Sequence, residues 1–256
     1  MTKGKNIVVA EKDDLAAYDV LAEGVEAIRD MISANVGGMT DLGEFNLTRA
    51  VNPPGSAKTP RWEIPGLGDE PEFTGEVEGI IVFHKNARVY YEHSYEETGG
   101  GQQPDCMSRD GIRGEGVPGG LCPKCPLSKF VKHDDGTTDR PACREMKRLF
   151  ILRPGEIMPT MFNATGGNVG QVMQYLLNLT TKGRLKYNHC ITRIKLAADK
   201  YKNGRDWAKW NLSMASALPD DVCEQMDAYN QFIEPIVSEL AVTAEDVADD
   251  TTDEVW

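Results

Sequence analysis

The chain has 256 residues, a length that suits one large domain or two small ones. Hydrophobic residues make up 40% of the chain and aromatic residues 7%, which is enough for a sizeable core and excludes a wholly disordered protein. No run of about 18 apolar residues is present that could span a membrane, and the N-terminus lacks the apolar stretch of a signal peptide. We therefore expect a cytoplasmic protein.

The formal net charge of −12 argues at first against an anionic ligand, but the charge is distributed unevenly along the chain. Residues 1–83 carry a net charge of −8, residues 84–210 carry +8, and residues 211–256 carry −12 without a single Lys or Arg. A basic middle region beside an acidic end indicates a protein with an anionic partner and an acidic segment that competes for the same surface.

The apolar pattern at the start of the chain predicts an amphipathic helix within residues 13–35. The residues that recur there at helical spacing are Leu21, Val25, Ile28 and Ile32. We assign residues 1–40 to an N-terminal helical segment. Residues 42–91 are strand-like, and the clearest strand is the run 76–84, with a turn expected at residues 85–87 before a second strand.

A long segment poor in large apolar residues lies at about residues 96–145. It contains three consecutive glycines and cannot build a core from its own side chains. It is also too long for a structureless loop within a compact domain. The segment therefore needs another means of holding its fold.

Four of the six cysteines fall inside this segment. Cys122 and Cys125 form a Cys-x-x-Cys knuckle, which can place two thiolates on one tetrahedral ion. We predict a structural Zn²⁺ site made by Cys106, Cys122, Cys125 and Cys143, with His133 as an alternative to one cysteine. A redox-active Cys-x-x-Cys needs a thioredoxin-like βαβ context, which the pattern lacks.

The rest of the chain predicts further strands and two helices. These are strands at 148–153 and 157–162, a short helix at 169–179, a hairpin of 190–197 with 206–214, and a last helix at 222–240. We predict an α+β fold that is mainly β: an OB-like barrel core with a zinc-stapled loop insertion and flanking helices. The core covers residues 41–215, the C-terminal helix 216–240, and a disordered acidic tail 241–256.

The sequence lacks the common enzyme motifs: the phosphate-binding Walker loop, His-Glu-x-x-His and Gly-x-Ser-x-Gly. We therefore expect a binding protein and not an enzyme. A metal-dependent nuclease, whose carboxylates meet only in the folded chain, is the alternative.

Cations and aromatic rings alternate through the basic middle region, a mixture typical of proteins that bind single-stranded nucleic acid. The predicted phosphate contacts are Arg88, Lys147, Arg148, Arg153, Lys182, Arg184 and Lys186. The predicted stacking rings are Tyr90, Phe150, Tyr187 and Trp207. Because neighbouring residues of a strand face opposite sides, we expect about half of the rings in this region to be structural.

The chain ends in an acidic segment with a terminal aromatic residue: Asp249, Asp250, Asp253, Glu254, Val255 and Trp256. This end resembles the tails of bacterial and phage single-stranded-DNA-binding proteins. Separately, the cysteine segment, the strand that follows it, and the pieces at 62–65 and 78–82 resemble a phage and prophage family over roughly residues 60–200. Zinc-containing single-strand binders of T-even-type phages include a histidine ligand, whereas this chain offers four cysteines.

The resemblance implies a phage single-stranded-DNA-binding protein of the OB-fold type, acting in replication or recombination in the host cytoplasm. It also implies that the tail recruits replication or recombination proteins and competes with DNA. The alternative is a zinc-containing accessory factor of the same machinery, an interaction module without strong affinity for DNA.

Overall fold

The computed structural model describes residues 7–36, 47–93, 103–201, 204, 206–238, 240 and 242. These residues form a mixed α/β fold that is mainly β, which confirms the predicted class. None of the helices in the described ranges is both long enough and apolar enough to cross a membrane.

The helices flank a large sheet and two small hairpins. They are α1 (Lys12–Leu15), α2 (Asp19–Val36), α3 (Gly167–Asn178) and α4 (Asp220–Ser238). The strands are β1 (Arg49–Ala50), β2 (Trp62–Ile64), β3 (Glu72–Thr74), β4 (Glu76–Tyr90), β5 (Cys106–Ser108), β6 (Arg113–Gly116), β7 (Gly120–Leu121), β8 (Val131–Lys132), β9 (Thr138–Asp139), β10 (Arg144–Leu152), β11 (Thr160–Thr165), β12 (Cys190–Lys200) and β13 (Asp206–Ala217).

Strand β4 is one continuous strand, so the turn expected at residues 85–87 is wrong. Each of these residues has a partner on β10, for example Lys85 opposite Arg148. The cross-strand pairing overrides the local turn preference of the sequence. The single predicted helix at 13–35 is also divided, because α1 and α2 are separate and α2 is broken at Gly24, where φ is +78°.

Strand β4 joins two parts of the sheet. Its first residues pair with β12, from Glu76 to Gly79, and the rest of the strand pairs with β10 from Ile80 onward. At the changeover a Cβ on Gly79 would lie 2.5 Å from the carbonyl oxygen of Leu152 and 2.5 Å from a methyl carbon of Ile151. Only glycine fits where β10 approaches β4 this closely.

The strands do not close a barrel in the part of the chain that the structure describes, since no ladder joins β11 to β13. Strand β1 pairs in parallel with β11 instead. Asn168, at the start of α3, contacts the backbone of β13. Its side-chain amide donates to the carbonyl of Ala208 at 3.0 Å and accepts from the backbone N–H of Trp210 at 2.8 Å.

Two apolar cores lie on opposite faces of β4 and β10. The inner core is built around three rings, with Trp62 edge-to-face against Phe162 and Trp210 at centroid distances of 5.5 and 5.4 Å. The outer core packs helices α2 and α4 against alternate residues of the two strands, including Phe150. Strand β10 is therefore buried on both faces.

The close approach at Gly79 generates a stability prediction. Gly79→Ala is expected to lower the free energy of unfolding by about 3 kcal/mol or more, because the new methyl group would press against backbone that cannot move aside. Gly170→Ala, on α3 with no atom within 4 Å of its Cβ position, is the matched control and should stabilise by about 0.5–1 kcal/mol. Urea unfolding measures the free energy of unfolding of both variants. Equal changes in Gly79→Ala and Gly170→Ala would contradict the packing argument.

Candidate metal centre and nucleic-acid interface

Cysteines form most of the interior of the segment between β4 and β10. Within residues 103–143 only five residues are buried, and they are Cys106, Ser108, Gly114, Cys122 and Cys143. Every residue from 129 to 140 is exposed. The absence of a local apolar core, which the sequence predicts for this segment, is thus confirmed for its described residues.

The backbone brings the four predicted zinc ligands together from three places in the segment. Cys106 lies on β5, opposite Tyr90 of β4, and Cys143 lies directly before β10. Cys122 and Cys125 are joined by a 3-10 turn in which the N–H of Cys125 donates to the carbonyl of Cys122 at 3.1 Å. All four line one cavity of about 10 Å³, the room needed for a single water-sized particle.

One thiol of this cavity, Cys143, favours the neutral form. Burial raises the pKa of the Cys143 thiol to about 11; Arg88 opposes this shift, and the other three cysteines add to it. A metal ion would reverse this preference, because it stabilises thiolates. Gly114 leaves the space for sulfur, since a Cβ there would lie 2.9 Å from the Sγ of Cys106.

In the described ranges, no three His, Cys, Asp or Glu side chains stand as a group that could hold a metal ion. The alternative ligand His133 does not line the cavity, and its Nε2 lies 2.6 Å from a carboxylate oxygen of Asp139 in an exposed hairpin. All six cysteines are free thiols.

Three of the predicted nucleic-acid contacts are wrong because their side chains are buried. Arg148 and Phe150 are 0% exposed and Lys147 is 5% exposed. Arg148 donates to the carbonyl of Leu240 at 2.9 Å, and Lys147 donates to the side-chain oxygen of Asn86 at 3.0 Å. Their burial follows from the position of β10 between two cores.

Four further predicted contacts hold other parts of the protein. Arg88 pairs with Glu145 at 2.9 Å, and Arg153 pairs with Glu72 and Glu156. Tyr90 lines the cysteine cavity. The ring of Tyr187 packs edge-on against His84, and its hydroxyl accepts from Asn230 at 3.0 Å. Nucleic acid could reach these groups only by replacing contacts that already exist.

The remaining predicted contacts are at least partly accessible. Lys182 and Arg184 are exposed after the end of α3, and neither forms an ion pair with another described residue. Lys186 is exposed but pairs with Asp227 at 2.7 Å. Trp207 is half-buried. The predicted partner-binding tail, residues 249–256, lies outside the described residues.

Trp207 belongs to a junction where the cysteine segment meets the β12–β13 hairpin. The guanidinium of Arg140 lies 5.6 Å from the ring centroid of Tyr201, within the range of a cation–π contact. The ring of Tyr201 stacks on Trp207 at a centroid distance of 4.6 Å and an angle of 23°. The backbone N–H of Gly167 donates to the Tyr201 hydroxyl at 3.1 Å. The junction thus joins one cation and two rings.

A groove of about 660 Å³ runs between the β2–β3 hairpin and β12. Its lining includes the cations Lys58, Arg61 and Lys195 and the ring of Phe73, which is 57% exposed. Sequence reasoning missed Lys58, Arg61 and Phe73 because they belong to the third of the chain whose summed charge is acidic. The short basic-aromatic run from Lys58 to Trp62 is the signal that a local count would have found.

Comparison of the chain with protein-family models, with curated proteins and with solved structures finds no match. The function therefore has to be inferred from the residues themselves. The relation to phage single-stranded-DNA-binding proteins stays a prediction.

The predicted contact Lys186 belongs to a polar cluster around Asp227 of α4. Asp227 accepts hydrogen bonds from Lys186 at 2.7 Å and Asn188 at 2.8 Å, and lies 2.9 Å from Nε2 of His189. Burial opposes ionisation of this carboxyl, but these three partners outweigh it and lower its pKa below the ordinary value of 3.8. The cluster fixes α4 to the turn before β12.

Asp227→Asn is expected to destabilise the protein by about 1–3 kcal/mol at neutral pH, since hydrogen bonds to a charged group are lost or weakened. Because the folded-state pKa is depressed, this contribution is present above the ordinary pKa and is lost as pH falls through the folded value. The difference from the wild type should therefore shrink below about pH 4. Urea unfolding at several pH values measures it, with the exposed Glu224→Gln as control; a difference independent of pH would contradict the assignment.

Proposed function

We propose that this protein binds single-stranded DNA without base specificity, as an accessory protein of phage DNA replication or recombination. It acts by binding alone, with cations on phosphates and rings on bases. The proposal combines an OB-like core, a zinc-stapled insertion and an acidic C-terminal tail.

The order of the strands supports an OB-like core. Strands β4, β10 and β11 form an antiparallel meander, α3 follows β11, and the β12–β13 hairpin returns to β4 through β12. The OB fold is a partly open five-stranded barrel that binds oligonucleotides with the loops after its first and fourth strands. In this correspondence the first loop is the cysteine segment and the second is the tip of the β12–β13 hairpin.

The observation that carries the proposal is the contact between these two loops. Arg140 of the first loop lies over Tyr201 of the second, and Tyr201 stacks on Trp207. A cation beside stacked rings is the combination that binds the backbone and bases of a single strand. The outer face of β10 is covered by α4, so we place binding at the loops and not on that face.

The four cysteines would hold the zinc ion. A complete set of four thiolates leaves no open position for a substrate, so the ion would be structural. Its binding energy would replace the apolar core that the segment lacks. Because Cys106 and Cys143 adjoin β4 and β10, the ion would also fix the segment to the sheet and keep Arg140 near Tyr201.

The acidic tail begins beside the same segment. The carbonyls of Ser238, the last residue of α4, and of Leu240 accept from Lys85 at 2.6 Å and from Arg148 at 2.9 Å. Val242 is buried in a cluster that Met107, on β5 of the segment, adjoins. The 14 residues that follow can reach about 46 Å when extended. In the proposal they compete with DNA and recruit replication or recombination proteins.

The function is tested by titrating fluorescent single-stranded and duplex oligonucleotides at low and moderate salt. The full chain should prefer the single strand, and its affinity should fall as salt rises because phosphate contacts release counterions. A chain ending at Val242 should bind more tightly because the competing acids are gone. If neither chain binds the single strand at low salt, the proposed function is wrong.

The zinc site gives a separate prediction. Protein purified without chelator should contain one zinc per chain by elemental analysis, and Cys143→Ser should lose the metal and melt at a lower temperature. Cys223→Ser is the control, since Cys223 lies on α4 and its thiol donates only to the carbonyl of Leu218. Equal zinc in both variants, or none in the wild type, would rule out the site.

A protein-interaction module without strong DNA affinity is the second candidate. Exposed apolar side chains on the cysteine segment favour it, and they are Ile112, Val117, Leu121 and Phe130. Such side chains mark interaction surfaces when they lie together. Tail-dependent capture of replication proteins by a chain that fails to bind oligonucleotides would favour this candidate.

A further inference from the structure

The groove between the β2–β3 hairpin and β12 lies along an incompletely paired strand edge. Pairing between β12 and β4 ends at Lys195 opposite Glu76, and one more backbone hydrogen bond joins Leu196 to Gly75 at 2.8 Å. Ala197 and Ala198 continue along the groove. Their small side chains leave the floor of the groove open.

The charge of the groove favours an anion. Lys58 and Arg61 are exposed and form no ion pair with any other residue in the described ranges. Lys195 pairs with Glu76 at 2.8 Å, and both side chains are about half exposed. Glu76 is the only carboxylate among the lining residues. The lining therefore carries three cations against one acid.

The groove also contains an exposed ring. Phe73 lies on β3 opposite Glu63, whereas the neighbouring pair of Trp62 and Thr74 turns Trp62 into the core. Because successive residues of a strand face opposite sides, Phe73 points away from that core. An exposed phenylalanine beside free cations matches the stacking platforms of single-strand binding proteins.

The groove leads toward the ring pair at the hairpin. Ala198 is followed by Asp199, which lies opposite Trp207 on β13. The loop before Lys58 packs against the start of β13. A Cβ on Gly55 would lie 3.0 Å from the carbonyl oxygen of Asp206 and 3.5 Å from the Cα of Trp207. Strand β12 therefore connects the groove that contains Phe73 with the Tyr201–Trp207 stack.

We propose that this groove is a binding site for single-stranded nucleic acid. The nucleic acid runs along the edge of β12, with phosphates on Lys58 and Arg61 and a base stacked on Phe73. The strand continues to the stack of Tyr201 and Trp207. This inference rests on the proposed function and extends the contact surface from the Tyr201–Trp207 stack to the groove, whose lining residues the sequence pattern does not predict as contacts.

The charge contacts are tested with a double variant of the full chain, Lys58→Glu with Arg61→Glu, and a fluorescent oligo(dT) of about 15 nucleotides, within the site size of OB-type binders. Binding at low salt should weaken at least tenfold. The slope of log affinity against log salt should become shallower by about 1.4, because two phosphate contacts are lost at about 0.7 each. Lys182→Glu with Arg184→Glu makes the same charge change at an exposed pair of cations outside the groove.

The stacking contact is tested with three variants of Phe73. Phe73→Leu should weaken binding by about 5- to 160-fold, the range expected for one base–aromatic stack, whereas Phe73→Tyr should bind like the wild type. Leu177→Ala, an equally exposed apolar truncation on α3, should leave binding unchanged. Phe73→Ala should resemble Phe73→Leu, since both lack a ring.

The outcomes separate this inference from the function on which it rests. If the wild type fails to bind oligo(dT), the proposed function is wrong. If the wild type binds and the groove variants bind equally well, or the variant at Lys182 and Arg184 weakens binding more, the groove is not the site although the function stands. The inference is supported if the double variant at Lys58 and Arg61 and the variants Phe73→Leu and Phe73→Ala lose binding while Phe73→Tyr binds like the wild type.

Discussion

Strand β4 is the element on which the other parts of the structure depend, because a single strand of 15 residues pairs in turn with β12, β10 and β5. The changeover at Gly79 requires a residue without a side chain, since Leu152 and Ile151 occupy the space that a Cβ would need. Both apolar cores use opposite faces of the same strand. The cysteine segment is attached at its far end through Tyr90 and Cys106. A disturbance of β4 would therefore affect the cores, the cysteine cavity and the hairpin together.

This arrangement explains how a chain with an acidic total charge can present a surface for an anion. The strongly acidic C-terminal region packs one helix on the outer face of β4 and β10. Carbonyls at the end of this helix and just after it accept from Lys85 and Arg148. These cations are used within the fold. Exposed cations lie elsewhere, at the groove beside β12, after α3 and on the cysteine segment. Net charge summed over the three regions of the sequence indicates an anionic partner but not the surface that binds it.

The sequence predicts the strands and helices better than it predicts which of their side chains are buried. Alternating apolar residues identify β4, β10 and the β12–β13 hairpin, and the lack of apolar residues between β4 and β10 indicates that the cysteines replace a core. The turn expected at residues 85–87 is wrong because β10 pairs along the whole stretch. The contacts expected at Lys147, Arg148 and Phe150 are wrong because no local pattern shows that two layers cover β10. The exposure of Phe73 and Arg61 could not be predicted for the same reason, because it depends on strands that are distant in the sequence.

The claim that a single strand is bound along β12 is tested most directly by photochemical cross-linking. Oligo(dT) carrying 5-iododeoxyuridine would be irradiated with the full chain at low salt, and the cross-linked peptides would be identified by mass spectrometry. The account predicts adducts on Phe73 and on Tyr201 or Trp207, all of which disappear with excess unlabelled single strand. Adducts confined to Tyr187 and the residues around Lys182, or no competed adduct at all, would contradict it.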